Sequence, residues 1–316
     1  MKVFVAGASG VVGAHLVPVL LRRGHDVVGT TRTREGVERL RDAGADGVML
    51  DAFDAAAVKG AVADAAPDVV VHELTALPRD ADIKRFEESF AMTNRLRTEG
   101  LDHLLAAARA AGVRRFVAQS YAAWPYERTG GPVKTEDDPL DPTPPAAQRA
   151  ALDAIRYLEA SVTHEQELQG LALRYGAFYG PGTALGAGGA VLDAIRRRRF
   201  PIVGAGGGIW SFLHVDDLAE ATADAIERGP SGVYNVVDDD PAPVADWLPE
   251  LARAIGAKPP RHVPEWLARF LIGDVGISLM TEIRGASNAK AKRELGWNPR
   301  VPSWRTGFRS GLLSGS

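Results

Sequence analysis

Lys2-Val3-Phe4-Val5-Ala6-Gly7-Ala8-Ser9-Gly10-Val11-Val12-Gly13 passes from an apolar run, through three glycines spaced three apart, into a segment of helical period. The apolar run Lys2–Ala6 predicts a buried strand and Val11–Arg22 a helix, and the second apolar run Asp26–Thr30 makes the unit β-α-β. A glycine turn between a strand and a helix lets backbone amides and the positive helix N-terminus approach a pyrophosphate. Gly7, Ser9, Gly10, Val11 and Gly13 are therefore the expected cofactor-binding turn, in a G-x-x-G-x-x-G rather than a G-x-G-x-x-G spacing.

The alternation continues outward from this unit. Strands are expected near Gly47–Leu50, at Asp68–Val71, at Arg115–Gln119 and at Leu171–Arg174. Between them fall helices at Ala55–Ala65, over a long stretch ending at Ala111, and from about Ala146. Such a rhythm predicts an α/β fold, a doubly wound parallel sheet of Rossmann type with helices on both faces. After Tyr175 glycine clusters and prolines break the rhythm, which suggests a smaller C-terminal α/β substrate domain, while Ser231–Val237 reads as a buried strand returning to the sheet. The expected division is a cofactor domain over 1–175 plus about 212–240, and a substrate domain over 176–211 and 241–316.

Composition narrows the chemistry. The 316 residues are 46% hydrophobic and 24% charged, with 37 basic against 40 acidic side chains and a net charge of −3. No excess of positive charge exists to condense on nucleic acid or an anionic membrane, so neither is an expected partner. The absence of cysteine excludes disulfides, thiolate catalysis and iron–sulfur clusters. No metal site is expected. The opening residues lack a secretory pattern, and no apolar stretch reaches the roughly 20 residues of a membrane span, so a cytoplasmic location is expected.

The end of the second strand chooses between cofactors. A carboxylate there would accept hydrogen bonds from the adenosine ribose of NAD, but the sequence reads Val28-Gly29-Thr30-Thr31-Arg32-Thr33-Arg34. Arg32, with Arg34, offers guanidinium groups to a 2′-phosphate, so NADP(H) is expected in preference to NAD(H). Asp51, just past the third strand, is placed to accept from the adenine amino group.

Several separated segments together resemble the extended short-chain dehydrogenase/reductases, the NAD-dependent epimerase/dehydratase family. They are the glycine turn, Val71-His72, Gln119-Ser120, Leu173-Arg174-Tyr175 with Tyr179-Gly180-Pro181-Gly182, Phe212-Leu213-His214-Val215-Asp216-Asp217-Leu218-Ala219, and Lys292-Arg293-Glu294-Leu295-Gly296-Trp297-Asn298-Pro299. The resemblance implies further cofactor contacts at Leu74, Ala76, Tyr175 and Gly176. It also implies a monomer or homodimer, and a structural role for His214 at a strand-to-helix junction.

The resemblance also exposes a departure. The family's acid/base is a tyrosine four residues before a lysine, one helical turn bringing the ammonium beside the phenol. Here those positions become Pro145 and Arg149, and no tyrosine in the chain has a lysine four residues on. Candidates to replace the pair are Ser120, Tyr121 and Tyr126 as hydroxyl donors, with Arg149 holding the nicotinamide ribose. Trp124, Phe178 and Trp210 are the expected substrate wall. Trp210 stands where sugar-nucleotide members present an arginine to a diphosphate, so a smaller or more apolar substrate is expected. The leading expectation is an NADP-dependent oxidoreductase acting on a carbonyl or related group of a small, partly apolar molecule. The alternatives are a sugar-nucleotide epimerase or dehydratase and a non-catalytic NADP sensor.

Overall fold

The computed structural model describes residues 1–78, 83–310 and 312. Strands β1 (Lys2–Ala6), β2 (Asp26–Thr31), β3 (Asp46–Met49), β4 (Val69–His72) and β5 (Arg115–Tyr121) alternate with helices. These are α1 (Val11–Arg22), α2 (Arg34–Asp42), α3 (Ala55–Ala65), and the pair α4 (Phe86–Arg95) and α5 (Leu101–Ala110). A short strand β6 (Val133–Lys134) and helix α6 (Arg149–Thr163) then lead to β7 (Gln169–Tyr175). Beyond it come short β8 (Ala177–Tyr179), α7 (Ala190–Arg196), short β9 (Ile202–Val203), β10 (Ile209–Trp210) and β11 (Phe212–His214), then α8 (Val215–Glu227) and β12 (Gly232–Val236).

Seven strands form one parallel sheet in the order β12-β7-β5-β4-β1-β2-β3. Order reverses between β1 and β4, which opens a crevice above the carboxyl ends of those strands, the usual ligand position in such a sheet. The central strands β1 and β4 are apolar over most of their length because helices cover both faces. Val3, Val5, Val71 and Val117 face one core with α1 and α8, while Phe4, Val70, Phe116 and Ala118 face the other with α3 and α5. As expected from sequence, Gly232–Val236 rejoins the sheet, pairing Tyr234 with Leu173.

Local chemistry starts the helices where they are needed. The Thr33 hydroxyl accepts the Gly36 amide at the start of α2, and the Asp54 carboxylate accepts the Ala57 amide at the start of α3. A separate aromatic core of Tyr179, Phe212, Trp247, Trp304 and Phe308 organises the chain beyond β7. Helices α9 (Val244–Ala254) and α10 (Glu265–Thr281) belong to this part. Among the described residues no helix is long and apolar enough to cross a membrane.

Two expectations shift in detail. Strand β5 runs through Tyr121, so Ser120 and Tyr121 sit on the strand rather than in the loop after it. The long helical stretch is interrupted by a π-turn, Leu96–Gly100, between α4 and α5.

Candidate active site

The glycine turn has the geometry its spacing predicts. Gly7 has φ of +92°, and a Cβ there would stand 2.7 Å from the Glu73 carbonyl oxygen. A Cβ on Gly13 would stand 2.4 Å from the Ala8 carbonyl oxygen, so α1 packs onto the turn without space for a side chain. Gly10 caps α1 with no side-chain hydrogen bond and no acidic residue follows in the first turn. Ser9, Gly10 and Val11 are exposed at the positive end of a helix. The Ser9 hydroxyl donates to Thr31 Oγ1 at 2.8 Å, which ties the turn to the end of β2. These residues fit a dinucleotide pyrophosphate.

At the end of β2, Arg32 and Arg34 are both exposed, and Thr33 between them caps α2. Asp51 is exposed in the neighbouring loop, where its Oδ1 accepts the Phe53 amide at 3.0 Å. Leu74 follows β4 beneath the turn, its amide nitrogen 3.2 Å from where a Gly7 Cβ would be. The Ala76 amide donates to Thr93 Oγ1 at 3.0 Å, holding the segment after β4 against α4. Gly176 has no space for a side chain either, a Cβ there falling 2.7 Å from the Ser211 carbonyl oxygen.

The structure corrects the expectation for the Tyr175 side chain. It is fully buried, its hydroxyl 2.8 Å from Glu73 Oε1 and 2.7 Å from Thr222 Oγ1, so it supports the turn from below and does not face the crevice. Thr222 spends its own proton on the Leu218 carbonyl at 2.8 Å. Tyr175 must then donate to Thr222, and the contact with Glu73 calls for a proton on the acid. Glu73 is buried with Oε2 unpartnered, and burial pushes its carboxyl up to about 8. Sequence reading passed over Glu73, although a carboxylate directly after an apolar strand is a visible signal.

The carboxyl ends of β4 and β5 hold the remaining candidates. The Ser120 hydroxyl is wholly buried and donates to Glu159 Oε1 at 2.6 Å. Both oxygens of Glu159 also accept from Arg174, from Nε at 2.7 Å and from Nη2 at 2.6 Å. Tyr126 is buried too, donating to Asn235 Oδ1 at 2.5 Å and accepting from Arg174 Nη1 at 2.8 Å. Ser120 and Tyr126 are thus engaged in one internal network built on the Arg174–Glu159 pair. That is the physical reason neither stands as a free donor here, contrary to the expectation for both.

Tyr121 differs. It is half-buried at the last position of β5, and its hydroxyl has no hydrogen-bond partner among the described residues. Burial pushes its phenol up to about 12 while the Arg97 guanidinium pulls the other way. Trp124 packs edge-on against Tyr121, ring centroids 6.4 Å apart, and against Phe86 at 5.8 Å. Trp124 is itself buried, so Tyr121, Trp124 and Phe86 form one contiguous aromatic cluster. Trp210 instead commits its Nε1 to the Leu279 carbonyl at 2.9 Å and stacks on Phe212, and Phe178 is half-buried against the core beside α1 and α8. Arg149 opens α6, exposed. His214 caps α8, accepting the Asp216 amide, as expected of a structural residue. Among the described residues no group of three or more His, Asp or Glu side chains could hold a metal ion.

Comparison with known proteins accords with this geometry. The family model for the NAD dependent epimerase/dehydratase family matches residues 3–236. The chain is 46% identical over 316 residues to a 3-diazoavenalumate denitrifying reductase from a Streptomyces species, covering 98% of this chain and 99% of that protein. It is 27% identical to a 4-hydroxy-2-methyl-3-oxo-4-farnesyl-3,4-dihydroquinoline-1-oxide ketoreductase of Stigmatella aurantiaca, over 95% and 93% of the two chains. The Thermus thermophilus UDP-glucose 4-epimerase in complex with NAD superposes with a TM-score of 0.73 at 25% identity, covering 99% and 98%. With its glycine turn, its seven-stranded parallel sheet and this full-length likeness, the chain belongs to the NAD-dependent epimerase/dehydratase family and is an enzyme of the extended short-chain dehydrogenase/reductase type.

Proposed function

We propose that the protein is an NADP(H)-dependent reductase of a small, partly apolar molecule. Residues 1–175 with about 212–240 bind the cofactor, and 176–211 with 241–316 complete the substrate site. The observation that carries the reading is the pairing of an intact cofactor turn with a missing Tyr-x-x-x-Lys pair. An epimerase or dehydratase must first remove a proton from its substrate, and no tyrosine of this chain has, four residues on, the lysine that would lower its pKa for that task. A reductase working in one direction needs no base.

Bound NADPH would supply the hydride. Gly7, Ser9, Gly10, Val11 and Gly13 would seat its pyrophosphate, and Arg32, with Arg34, its 2′-phosphate. Asp51, Leu74, Ala76 and Gly176 would border the adenosine and nicotinamide ends, and Arg149 the nicotinamide ribose. Trp124 would form the substrate wall.

Two acceptors fit. A carbonyl becomes an alkoxide, which Tyr121, the one of the three candidate hydroxyls with no hydrogen-bond partner among the described residues, would protonate. An aryl diazonium replaces its N2 by hydride and requires no proton, which matches both the lost acid/base pair and the name of the 46% identical relative. The test is NADPH consumption with aryl aldehydes and ketones beside aryl diazonium salts, with N2 release measured. Turnover of neither class, by a protein that binds NADPH, would exclude the reading.

A further inference from the structure

Arg97 lies in the π-turn between α4 and α5, a local irregularity common at functional sites. Its side chain is buried, with residue exposure of 5%, yet it makes no ion pair or hydrogen bond among the described residues, and Nη1 is completely enclosed. The charges that act on it are few. Burial lowers its pKa to about 10, so it stays a cation at neutral pH, with Glu159 and Tyr121 the groups that favour the charge. Glu159 is already neutralised by the two-pronged contact with Arg174, and its remaining capacity goes to Ser120. His72, on β4, is buried and disfavours protonation. The turn packed between α4, α5 and α6 therefore holds one positive charge with no counter-charge among the described residues, an arrangement that is costly unless a ligand completes it.

Neighbouring groups are incomplete in the same way. Asn94, three residues earlier on the same helical face, leaves Oδ1 buried and unpartnered. Gln148, wholly buried in the turn that packs against α4, leaves both amide atoms unpartnered, and Trp124 leaves its indole N–H so. Arg97, Gln148 and Trp124 offer N–H donors beside flat rings, Phe86 and Phe90 stacked at 4.1 Å and Trp124 against Phe86. One guanidinium with apolar walls suits a single carboxylate on a planar molecule better than a diphosphate.

We propose that Arg97 receives the carboxylate of the substrate, so that the enzyme acts on small aromatic acids whose anionic end is buried against the α4–α5 turn. This rests on the reductase reading and names its substrate class. Cinnamate and cinnamamide, titrated calorimetrically into protein saturated with NADP⁺, are the test. The acid should bind tighter than the amide by about 10–150-fold, the range of a hydrogen bond to a charged group. Arg97→Gln should abolish that difference with NADP⁺ affinity unchanged, and Arg97→Lys should restore part of it. Ligand-free Arg97→Met should melt above the native protein, because it removes an unpaired buried charge; a structural arginine would give the opposite shift. Equal affinity of the native protein for acid and amide, or millimolar acid failing to bind, would overturn the proposal without any variant having to fold. So would a selective loss of NADP⁺ binding in Arg97→Gln. None of these outcomes touches the reductase reading, which NADPH consumption decides.

Discussion

Replacing Glu73 by Gln should make the protein more stable, and increasingly so as pH rises from 5 to 8. Glu73 sits directly under the glycine turn with an exposure of 4%, facing Tyr175 and leaving one oxygen unpartnered. Its carboxyl is pushed from 4.5 up to about 8 by burial. Below pH ~4.5 the folded and unfolded chains both hold the proton and the group adds no pH dependence. Between ~4.5 and ~8 the unfolded chain releases the proton while the folded chain keeps it, so native stability falls as pH rises; above ~8 the slope ends. At about 1.4 kcal/mol per unit this amounts to roughly 5 kcal/mol across the window. A glutamine cannot titrate, yet its N–H can donate to Tyr175 as the protonated acid does, which keeps the chain of hydroxyls to Thr222 and Leu218 intact. For 316 residues unfolding entropy near the melting point is about 0.66 kcal/mol/K, so the roughly 3.5 kcal/mol that falls between pH 5 and pH 8 should widen the gap in Tm between Glu73→Gln and native by about 5 °C. Asp238, also raised to about 8 by burial, tilts both curves alike and cancels in the difference. Thermal melts of the two proteins across this range decide the matter. Parallel curves would mean that Glu73 is already ionised in the folded state, and the hydroxyl chain would then have to run the other way.

Arg32→Glu should reverse or abolish a preference for NADPH over NADH, by roughly 1.5–3 kcal/mol for the lost charge-assisted hydrogen bond, read as the ratio of the two Kd values; native protein binding both cofactors equally would refute the assignment. Tyr121→Phe should lower carbonyl turnover about 10²–10³-fold, as loss of a preorganised donor does. The same variant should leave diazonium reduction at the native rate, whereas Ser120→Ala and Tyr126→Phe, which break the Arg174–Glu159 network, should show mainly as lower Tm. UDP- and dTDP-sugars should bind weakly, because Trp210 is locked to Leu279 where a diphosphate would need a cation; a submicromolar UDP-sugar complex, by calorimetry, would contradict this.

The sequence alone determined what short-range chemistry controls. Three glycines between an apolar run and a helical one define a turn within thirteen residues, and the structure forms it with the φ and close contacts that only glycine tolerates. Alternating apolar and helical runs determined the parallel sheet in the same way, since covered strands must be apolar on both faces. The missing lysine was legible too, being a matter of counting. Which hydroxyl remains free was not, because it depends on partners far apart in the chain: Ser120 meets Glu159 across 39 residues and Tyr126 meets Asn235 across 109. Tertiary packing likewise paired Glu73 with Tyr175, 102 residues away, and left Arg97 without a counter-charge among the described residues by giving Glu159 to Arg174. Charge compensation and desolvation are sums over everything brought within a few ångströms, and a sequence fixes no such distance until the sheet has set its neighbours side by side.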